Sequence, residues 1–188
     1  MDKKRVIIVT DGDRTAQGAV ERAAANVGGL AVSASGGNPT PLSAEEIMEL
    51  VLQAPQEPVL VMVDDSGKRS KGPGERVLEQ LAKDERVEVL GVVAVASNTD
   101  KVEGVSVDVS VTREGQRVYG PVDKDGIPEP AGRYEVEGDT VDILNCLDVP
   151  VIVGVGDLGK MDDADRQEEG ARITTAAVQE VLRHHGLA

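Results

Sequence analysis

Residues 5–34 read RVIIVTDGDRTAQGAVERAAANVGGLAVSA, and this stretch decides the fold class. Its first six residues are an apolar, β-branched run, which predicts a buried strand at 5–10. Residues 14–27 then carry apolar side chains at helical spacing, with Asp13 as the predicted N-cap. Residues 30–34 predict a second strand. A strand, a helix and a further strand in this order form the unit from which parallel sheets are built.

The same alternation continues along the chain. Ser43 and Glu46 form a predicted capping box for a second helix, and Asp139 is the predicted cap of a later one. Apolar strands that alternate with helices are typical of an α/β fold. We expect a three-layer, open, mostly parallel sheet of the Rossmann or flavodoxin-like kind, with helices on both faces. The further strands are predicted at residues 58–63, 87–96 and 150–155, and the further helices at about residues 44–54, 77–82, 140–147 and 173–185.

The pattern changes at residue 105. Over residues 105–111 valines alternate with polar residues, which predicts one half-exposed strand. Residues 117–119 are expected to return as its partner, which gives an added β-hairpin near 105–119. Residues 120–138 are rich in proline, glycine and charge and predict a long excursion. Because sheet edges invite pairing, the exposed strand is also a candidate contact for a homodimer.

Length and composition limit the function. A chain of 188 residues suits a single α/β domain over 1–188, and 34 acidic against 20 basic residues give a formal net charge of −14. Nucleic acids and anionic lipid surfaces attract basic faces, so neither nucleic-acid binding nor direct membrane insertion is expected. The apolar runs are too short for a signal peptide or a transmembrane segment, which predicts a soluble chain.

Polar clusters follow four of the predicted strands, at the edge where parallel sheets bind ligands. Carboxylates after the first and third strands converge there if these two strands are neighbours, and hard divalent cations prefer oxygen ligands. The alternative is that these aspartates only cap helices and close turns. The predicted metal ligands, for Ca²⁺ or Mg²⁺, are Asp11, Asp13, Asp64 and Asp65. The wider set of candidate ligand-binding residues adds Ser66, Ser97 and Asp157, with Thr99 in the same cluster as Ser97.

Several motifs together carry a resemblance to a known family. They read VIIVTDGD (6–13), SGGNPT (35–40), VMVDDSG (61–67), EVLGVVAVAS (88–97), GDTV (138–141) and VPVIVGVGDLGKM (149–161). From about residue 4 to residue 186, the chain resembles the soluble form of the stage V sporulation protein AE family. The resemblance implies a role in sporulation and germination. It places the chain in a group that moves dipicolinic acid, with calcium, across the inner membrane of the spore.

The resemblance further implies how such a chain works. Other members of the group span the membrane, so this one is expected to be a soluble accessory subunit, peripheral to the spore inner membrane. Its expected partners are the membrane-embedded stage V sporulation A subunits. The family carries no catalytic residues that can be transferred, and no nucleophile pattern stands out in the sequence, so we expect no enzymatic activity.

A second interpretation comes from the residues alone. Asp13, Asp64, Ser97 and Lys160 follow four of the predicted strands, and in chain order they are acid, phosphoryl acceptor, hydroxyl and lysine. This order favours a Mg²⁺-dependent phosphoryl-handling domain of the receiver or nuclease-primase type. The likeness is one of topology, and a fold alone does not define a function. It therefore stands as the alternative to the accessory subunit.

Overall fold

The computed structural model of the chain describes residues 2–67, 71–98 and 102–188. The strands within these residues are β1 (Lys4–Val9), β2 (Leu30–Ala31), β3 (Val59–Met62), β4 (Val87–Val95), β5 (Val105–Ser106), β6 (Val109–Val111), β7 (Arg117–Val118), β8 (Glu135–Val136) and β9 (Ile152–Val155). The α-helices there are α1 (Arg14–Asn26), α2 (Ala44–Gln53), α3 (Pro73–Lys83) and α4 (Arg172–His184). Short 3-10 helices in the same residues span Ser33–Ser35, Asp142–Cys146 and Gln167–Glu169.

The main sheet has the order β2-β3-β1-β4-β9-β6-β7. All its neighbours are parallel except β6 and β7, which form the antiparallel hairpin at one edge. The predicted open, mostly parallel α/β sheet and its added hairpin are therefore confirmed. The parallel strands therefore lie in the order β2-β3-β1-β4-β9-β6. The two common doubly wound orders, numbered along the chain, are 3-2-1-4-5-6 and 2-1-3-4-5.

Helices cover both faces of the sheet. Along β1 the side chains alternate between the faces. Ile7 and Val9 belong to an apolar cluster with residues of α1 and α4, whereas Val6 and Ile8 belong to a second cluster with residues of α2 and α3. These four side chains are fully buried, whereas Lys4 and Arg5 at the start of β1 are half-buried. The two clusters are the cores of a three-layer arrangement.

The first two helices begin where the sequence predicts. Asp13 Oδ1 accepts hydrogen bonds from the amides of Thr15 and Ala16, each at 2.8 Å, and so caps α1. Ser43 and Glu46 form the predicted capping box of α2. Side chains of these types satisfy amides that the first turn of a helix leaves without partners.

The second strand is shorter than predicted. It ends at Ala31, and residues 33–35 form a 3-10 helix instead. The Ser35 hydroxyl donates to the Val32 carbonyl at 2.7 Å and accepts from the Met62 amide at 2.9 Å. Serine side chains compete in this way with a strand's own hydrogen bonds. The serine therefore takes a ladder position next to β3.

The prediction of one half-exposed strand over 105–111 is wrong. Two short strands occur there, because β5 pairs with β8 in a separate two-stranded sheet while β6 joins the main sheet beside β9. The chain crosses between the sheets at Asp108, whose carboxylate accepts from the Ile152 amide at 2.8 Å. All three residues of β6 are buried. The edge strand of the hairpin is β7, so pairing of the hairpin with a second copy would use that strand.

The predicted helix at 140–147 is a 3-10 helix over Asp142–Cys146, and Asp139 does not cap it. The Asp139 carboxylate instead accepts from the amides of Asp65 and Gly67. The Asp139 carboxylate therefore binds the loop after β3, and not the local helix end that the sequence predicted.

The aromatic side chains lie outside the core. The chain has two tyrosines and no other aromatic residue of the Phe, Trp or Tyr type. Tyr119 is 80% exposed and Tyr134 is 73% exposed. The core is consequently built from valine, leucine, isoleucine, alanine and methionine. Among the described residues, no helix combines the length and the apolar composition needed to cross a membrane.

Candidate functional site

The site lies at the carboxyl end of the sheet, between β1 and β3. These strands are neighbours, as the prediction of converging carboxylates required. The chain leaves β1 for α1 on one face and leaves β3 for α3 on the opposite face. Two neighbouring strands whose connections diverge in this way leave a crevice between them, where α/β proteins bind their ligands.

Three carboxylates gather at this end of the sheet. Asp11 and Asp13 follow β1, and Asp157 follows β9. One oxygen from each lies within 4.8 Å of the others, which makes them the group in the described part of the chain with the spacing of metal ligands. The Asp157 amide donates to the Lys124 carbonyl at 2.8 Å, so the excursion holds this aspartate in place. We name Asp11, Asp13 and Asp157 the carboxylate triad.

Lys160 is the counter-charge of the carboxylate triad. Its Nζ lies 2.9 Å from Asp13 Oδ2 and 3.1 Å from Asp157 Oδ2. Burial works against the ammonium, but the hydrogen bonds to both aspartates outweigh it and raise the pKa of Lys160. A divalent cation that took these oxygens would have to displace the ammonium.

The three members of the carboxylate triad differ in their pKa. Burial, helped by the negative charge of Asp13, raises the pKa of Asp11 to about 7. Burial also raises the pKa of Asp157. At Asp13 the effect of burial is outweighed by hydrogen bonds from the Ala16 amide and Lys160, and its pKa is lowered. Asp11 is thus part protonated near neutral pH, and a bound cation would favour its ionised form.

Asp64 forms the other wall of the crevice. Its side chain is 5% exposed. The Gly12 amide donates to Asp64 Oδ2 at 3.2 Å and the Ser66 amide to Oδ1 at 2.7 Å. The carboxyl group of Asp139 lies beside it. Burial, together with that neighbour, raises the pKa of Asp64 to about 7.

Asp65 points away from the crevice and anchors α3. Its Oδ1 accepts from the Gly74 amide at 2.7 Å, and its Oδ2 accepts from the Glu75 amide at 3.0 Å and the Thr140 hydroxyl at 3.2 Å. The N-cap of α3 is Gly72, which has no side chain to fill this role. Asp64 and Asp65, assigned from the sequence to the same metal site, therefore lie outside the carboxylate triad.

The remaining predicted site residues lie near Asp64. Ser66 has a left-handed backbone, with φ of 58°. Ser97 accepts from the Asp139 amide at 3.1 Å. Thr99 falls outside the described residues. Asp139 was missed as a site residue because the sequence offered a local explanation for it, a helix cap.

Fold and site together define an open α/β protein with an acidic crevice at the point where its strand connections diverge. The family model described as stage V sporulation protein AE1 matches residues 5–185 of the chain. The chain therefore belongs to the stage V sporulation protein AE1 family, and its role is in sporulation. Searches of curated proteins and of solved structures each returned no match.

Proposed function

We propose that this protein is an accessory subunit of the assembly that moves dipicolinic acid, with calcium, in sporulation and germination. The observation that carries the proposal is membership of the family over nearly the whole chain. The proposal places the protein at the spore inner membrane. There it is held by the membrane-embedded stage V sporulation A subunits.

The crevice supports a direct contact with the cargo. The carboxylate triad offers the oxygen ligands that Ca²⁺ prefers, and its members lie close enough to share one ion. Ca²⁺ takes about 6–8 oxygen ligands, more than three carboxylates supply with one atom each. A chelating dianion such as dipicolinate would complete the coordination. Lys160, once displaced, is placed to neutralise one carboxylate of that dianion.

The geometry favours this function over phosphoryl transfer. A phosphoryl acceptor needs an accessible carboxylate, whereas Asp64 is buried and its oxygens already accept from the Gly12 and Ser66 amides. The second interpretation also requires Lys160 to contact Asp64, the phosphoryl acceptor. Lys160 contacts Asp13 and Asp157 instead.

Calorimetric titration tests the cargo contact. The purified chain is titrated with Ca²⁺, Mg²⁺, dipicolinate and the calcium–dipicolinate complex. We expect the complex to bind and the binding to be lost in Asp11→Asn and in Asp157→Asn. Asp108→Asn is the matched control, because Asp108 holds an amide far from the crevice. Absence of heat with all four ligands in the folded wild type would remove the direct contact with the cargo.

A separate experiment tests the subunit role. The chain, immobilised, is mixed with detergent extracts containing each membrane-embedded stage V sporulation A subunit. We expect at least one subunit to be retained, and to be retained also by the Asp11→Asn variant. Retention of none would contradict the accessory role. Retention without calcium–dipicolinate binding would leave the subunit role in place and remove the cargo contact.

A further inference from the structure

Residues 122–128 of the excursion form a turn that is closed by its own hydrogen bonds. Its two ends pair as an isolated antiparallel bridge. The Asp123 amide donates to the Ile127 carbonyl at 2.9 Å, and Asp123 Oδ1 accepts from the amides of Asp125 and Ile127, each at 2.9 Å. Aspartate commonly closes turns in this way. We name residues 122–128 the docking turn, and its internal bonds preserve its shape if it leaves the sheet.

Two backbone hydrogen bonds attach the docking turn to the main sheet. The Asp157 amide donates to the Lys124 carbonyl at 2.8 Å, and the Arg113 amide donates to the Gly126 carbonyl at 3.0 Å. Asp157 follows β9 and Arg113 follows β6, which are neighbouring strands. One of the two bonds therefore holds the backbone of a member of the carboxylate triad.

Glycines make this close attachment possible. A Cβ atom on Gly126 would lie 2.8 Å from the Arg113 amide nitrogen and 2.9 Å from Met161 Sδ. A Cβ atom on Gly156 would lie 2.6 Å from the Gly126 nitrogen and 2.8 Å from the Lys124 oxygen. These distances are far inside van der Waals contact, which for carbon atoms is about 3.5–4.0 Å. The docking turn therefore meets the sheet backbone against backbone.

Few buried residues hold the docking turn in place. Within it, Val122 and Gly126 are buried, and the other residues are exposed or half-buried. Val153 and Val155 of β9 are, by contrast, fully buried. A segment with few buried contacts opens at a lower free energy than the core. We therefore expect the docking turn to open while the sheet stays folded.

We propose that the docking turn positions Asp157 and so regulates the affinity of the carboxylate triad for a cation. While the turn is docked, Asp157 is held where Lys160 contacts both it and Asp13. When the turn opens, the Asp157 amide loses its partner and the third carboxylate is no longer held. A cation then binds only the docked fraction of the molecules, and its apparent affinity falls in proportion. The effect on affinity rests on the proposed function, whereas the placement of Asp157 does not.

Two glycine variants of the excursion provide the test. Gly126→Ala places a methyl group against Arg113 and Met161 and should undock the turn. Gly132→Ala is the matched control. Both glycines have a positive φ, 72° and 102°, but a Cβ atom on Gly132 would meet nothing within 4 Å. Both variants carry the backbone strain of an alanine at positive φ, and only one disturbs the docking contact.

Amide hydrogen exchange without any cation measures docking. We expect the Asp157 and Arg113 amides to be protected at least about tenfold in the wild type and in Gly132→Ala, and to lose this protection in Gly126→Ala. The amides of β9 should stay protected in all three proteins, which shows that the sheet is folded. Protection of Asp157 and Arg113 that persists in Gly126→Ala would overturn the proposal.

Nuclear Overhauser contacts in the same cation-free samples measure the placement of Asp157. In the wild type and in Gly132→Ala, the ε protons of Lys160 should contact the β protons of both Asp13 and Asp157. In Gly126→Ala we expect at least one of these two contacts to be lost. Both contacts retained in a variant whose turn is undocked would overturn the proposal, whether or not a cation binds.

Calorimetry with calcium–dipicolinate measures the effect on affinity. We expect binding to be about tenfold weaker in Gly126→Ala, as for a docked fraction that falls to a tenth, and unchanged in Gly132→Ala. Unchanged affinity in an undocked Gly126→Ala would overturn the regulation of the site. Absence of binding in the wild type would instead remove the cargo contact, and the Overhauser contacts would then decide the placement of Asp157.

The wild type alone supplies a further measurement, which decides the proposal if the β9 amides show that Gly126→Ala does not fold. Because coupling between two equilibria is reciprocal, saturation with calcium–dipicolinate should favour the docked turn. We expect exchange of the Arg113 amide, whose partner is Gly126 and not a member of the carboxylate triad, to become slower. An Arg113 amide that ignores a bound ligand would overturn the proposal.

Discussion

At the scale of single residues, burial decides which carboxylates carry negative charge. Asp13 and Asp11 are two positions apart, yet the pKa of one is lowered and that of the other is raised to about 7. Asp13 has the amides of α1 and the ammonium of Lys160 around it. Asp11 lies deeper and has the Asp13 amide at 3.2 Å. The same residue type therefore holds a fixed charge at one position and a titrating one at the other.

The first prediction concerns Asp11. Because its pKa is higher in the folded protein than in the unfolded chain, the stability it contributes is present at low pH and is lost as pH rises from about 4 to about 7. Asp11→Asn removes this loss. We expect the free energy of unfolding of Asp11→Asn to exceed that of the wild type by about 1–3 kcal/mol at pH 8. Urea unfolding at pH 5 and pH 8 measures it, and an advantage that does not grow with pH would contradict it.

The second prediction concerns Lys160. Lys160→Met removes the ammonium that occupies the oxygens of Asp13 and Asp157. We expect the variant to bind free Ca²⁺ roughly tenfold more tightly, because the ion no longer displaces an internal charge. Calorimetry measures the affinity, and Lys160→Arg is the control that retains the charge.

Comparison of free Ca²⁺ with calcium–dipicolinate distinguishes two roles of Lys160: competition with the cation, and contact with the dianion. If Lys160 neutralises a carboxylate of the dianion, the gain for free Ca²⁺ in Lys160→Met should shrink or reverse for calcium–dipicolinate. An equal gain for both ligands would show that the lysine only competes. No change for either ligand would place the cation away from the carboxylate triad.

At the scale of elements, the starts of helices are the feature that this sequence predicts best. Asp13 and Ser43 cap α1 and α2 from adjacent positions, so local sequence predicted them correctly. Local sequence does not predict the start of α3, because the side chain that caps it, Asp65, lies after β3 and not next to the helix. Likewise, alternation over 105–111 suggested one strand, because local periodicity does not reveal that the chain changes sheets at Asp108.

The third prediction compares two caps. Asp65→Ala removes a buried carboxylate that serves two amides and a hydroxyl, and leaves them without partners. We expect a loss of about 2–4 kcal/mol in the free energy of unfolding. Ser43→Ala removes an exposed cap and should cost about 1 kcal/mol. Urea unfolding of both variants measures the difference, and equal losses would show that Asp65 does no more than an ordinary cap.

At the scale of the whole molecule, the sequence predicts the architecture but only part of the site. Apolar strands alternating with helices predicted the layers correctly, and the neighbouring of β1 and β3 brought their polar ends together. Strand order is a property of packing, so the sequence placed Asp157 among the ligand-binding candidates but assigned Asp64 and Asp65, rather than Asp157, to the metal site with Asp11 and Asp13. The place of Asp139 in the site follows from its contact with Gly67, which lies 72 residues earlier in the chain. No local sequence pattern predicts such a contact.

The fourth prediction follows from the net charge of −14. Self-repulsion of a strongly charged chain opposes the compact state, and salt screens it over about 10 Å at 0.1 M. We expect the melting temperature to rise by several degrees between 0.02 and 0.3 M sodium chloride. Differential scanning calorimetry at pH 7.5 measures this rise. A melting temperature that falls with salt would show that attractive ion pairs dominate.

Placing both tyrosines on the surface has a consequence for every optical experiment on this protein. Tyr119 and Tyr134 are its fluorophores, and both lie outside the core, at the ends of the excursion. Tyrosine emission therefore reports on the excursion, whereas far-ultraviolet circular dichroism reports on the sheet and helices. Unfolding curves from the two signals coincide only if the excursion and the core melt as one unit. A partner that covers this segment would change the emission without any label being attached.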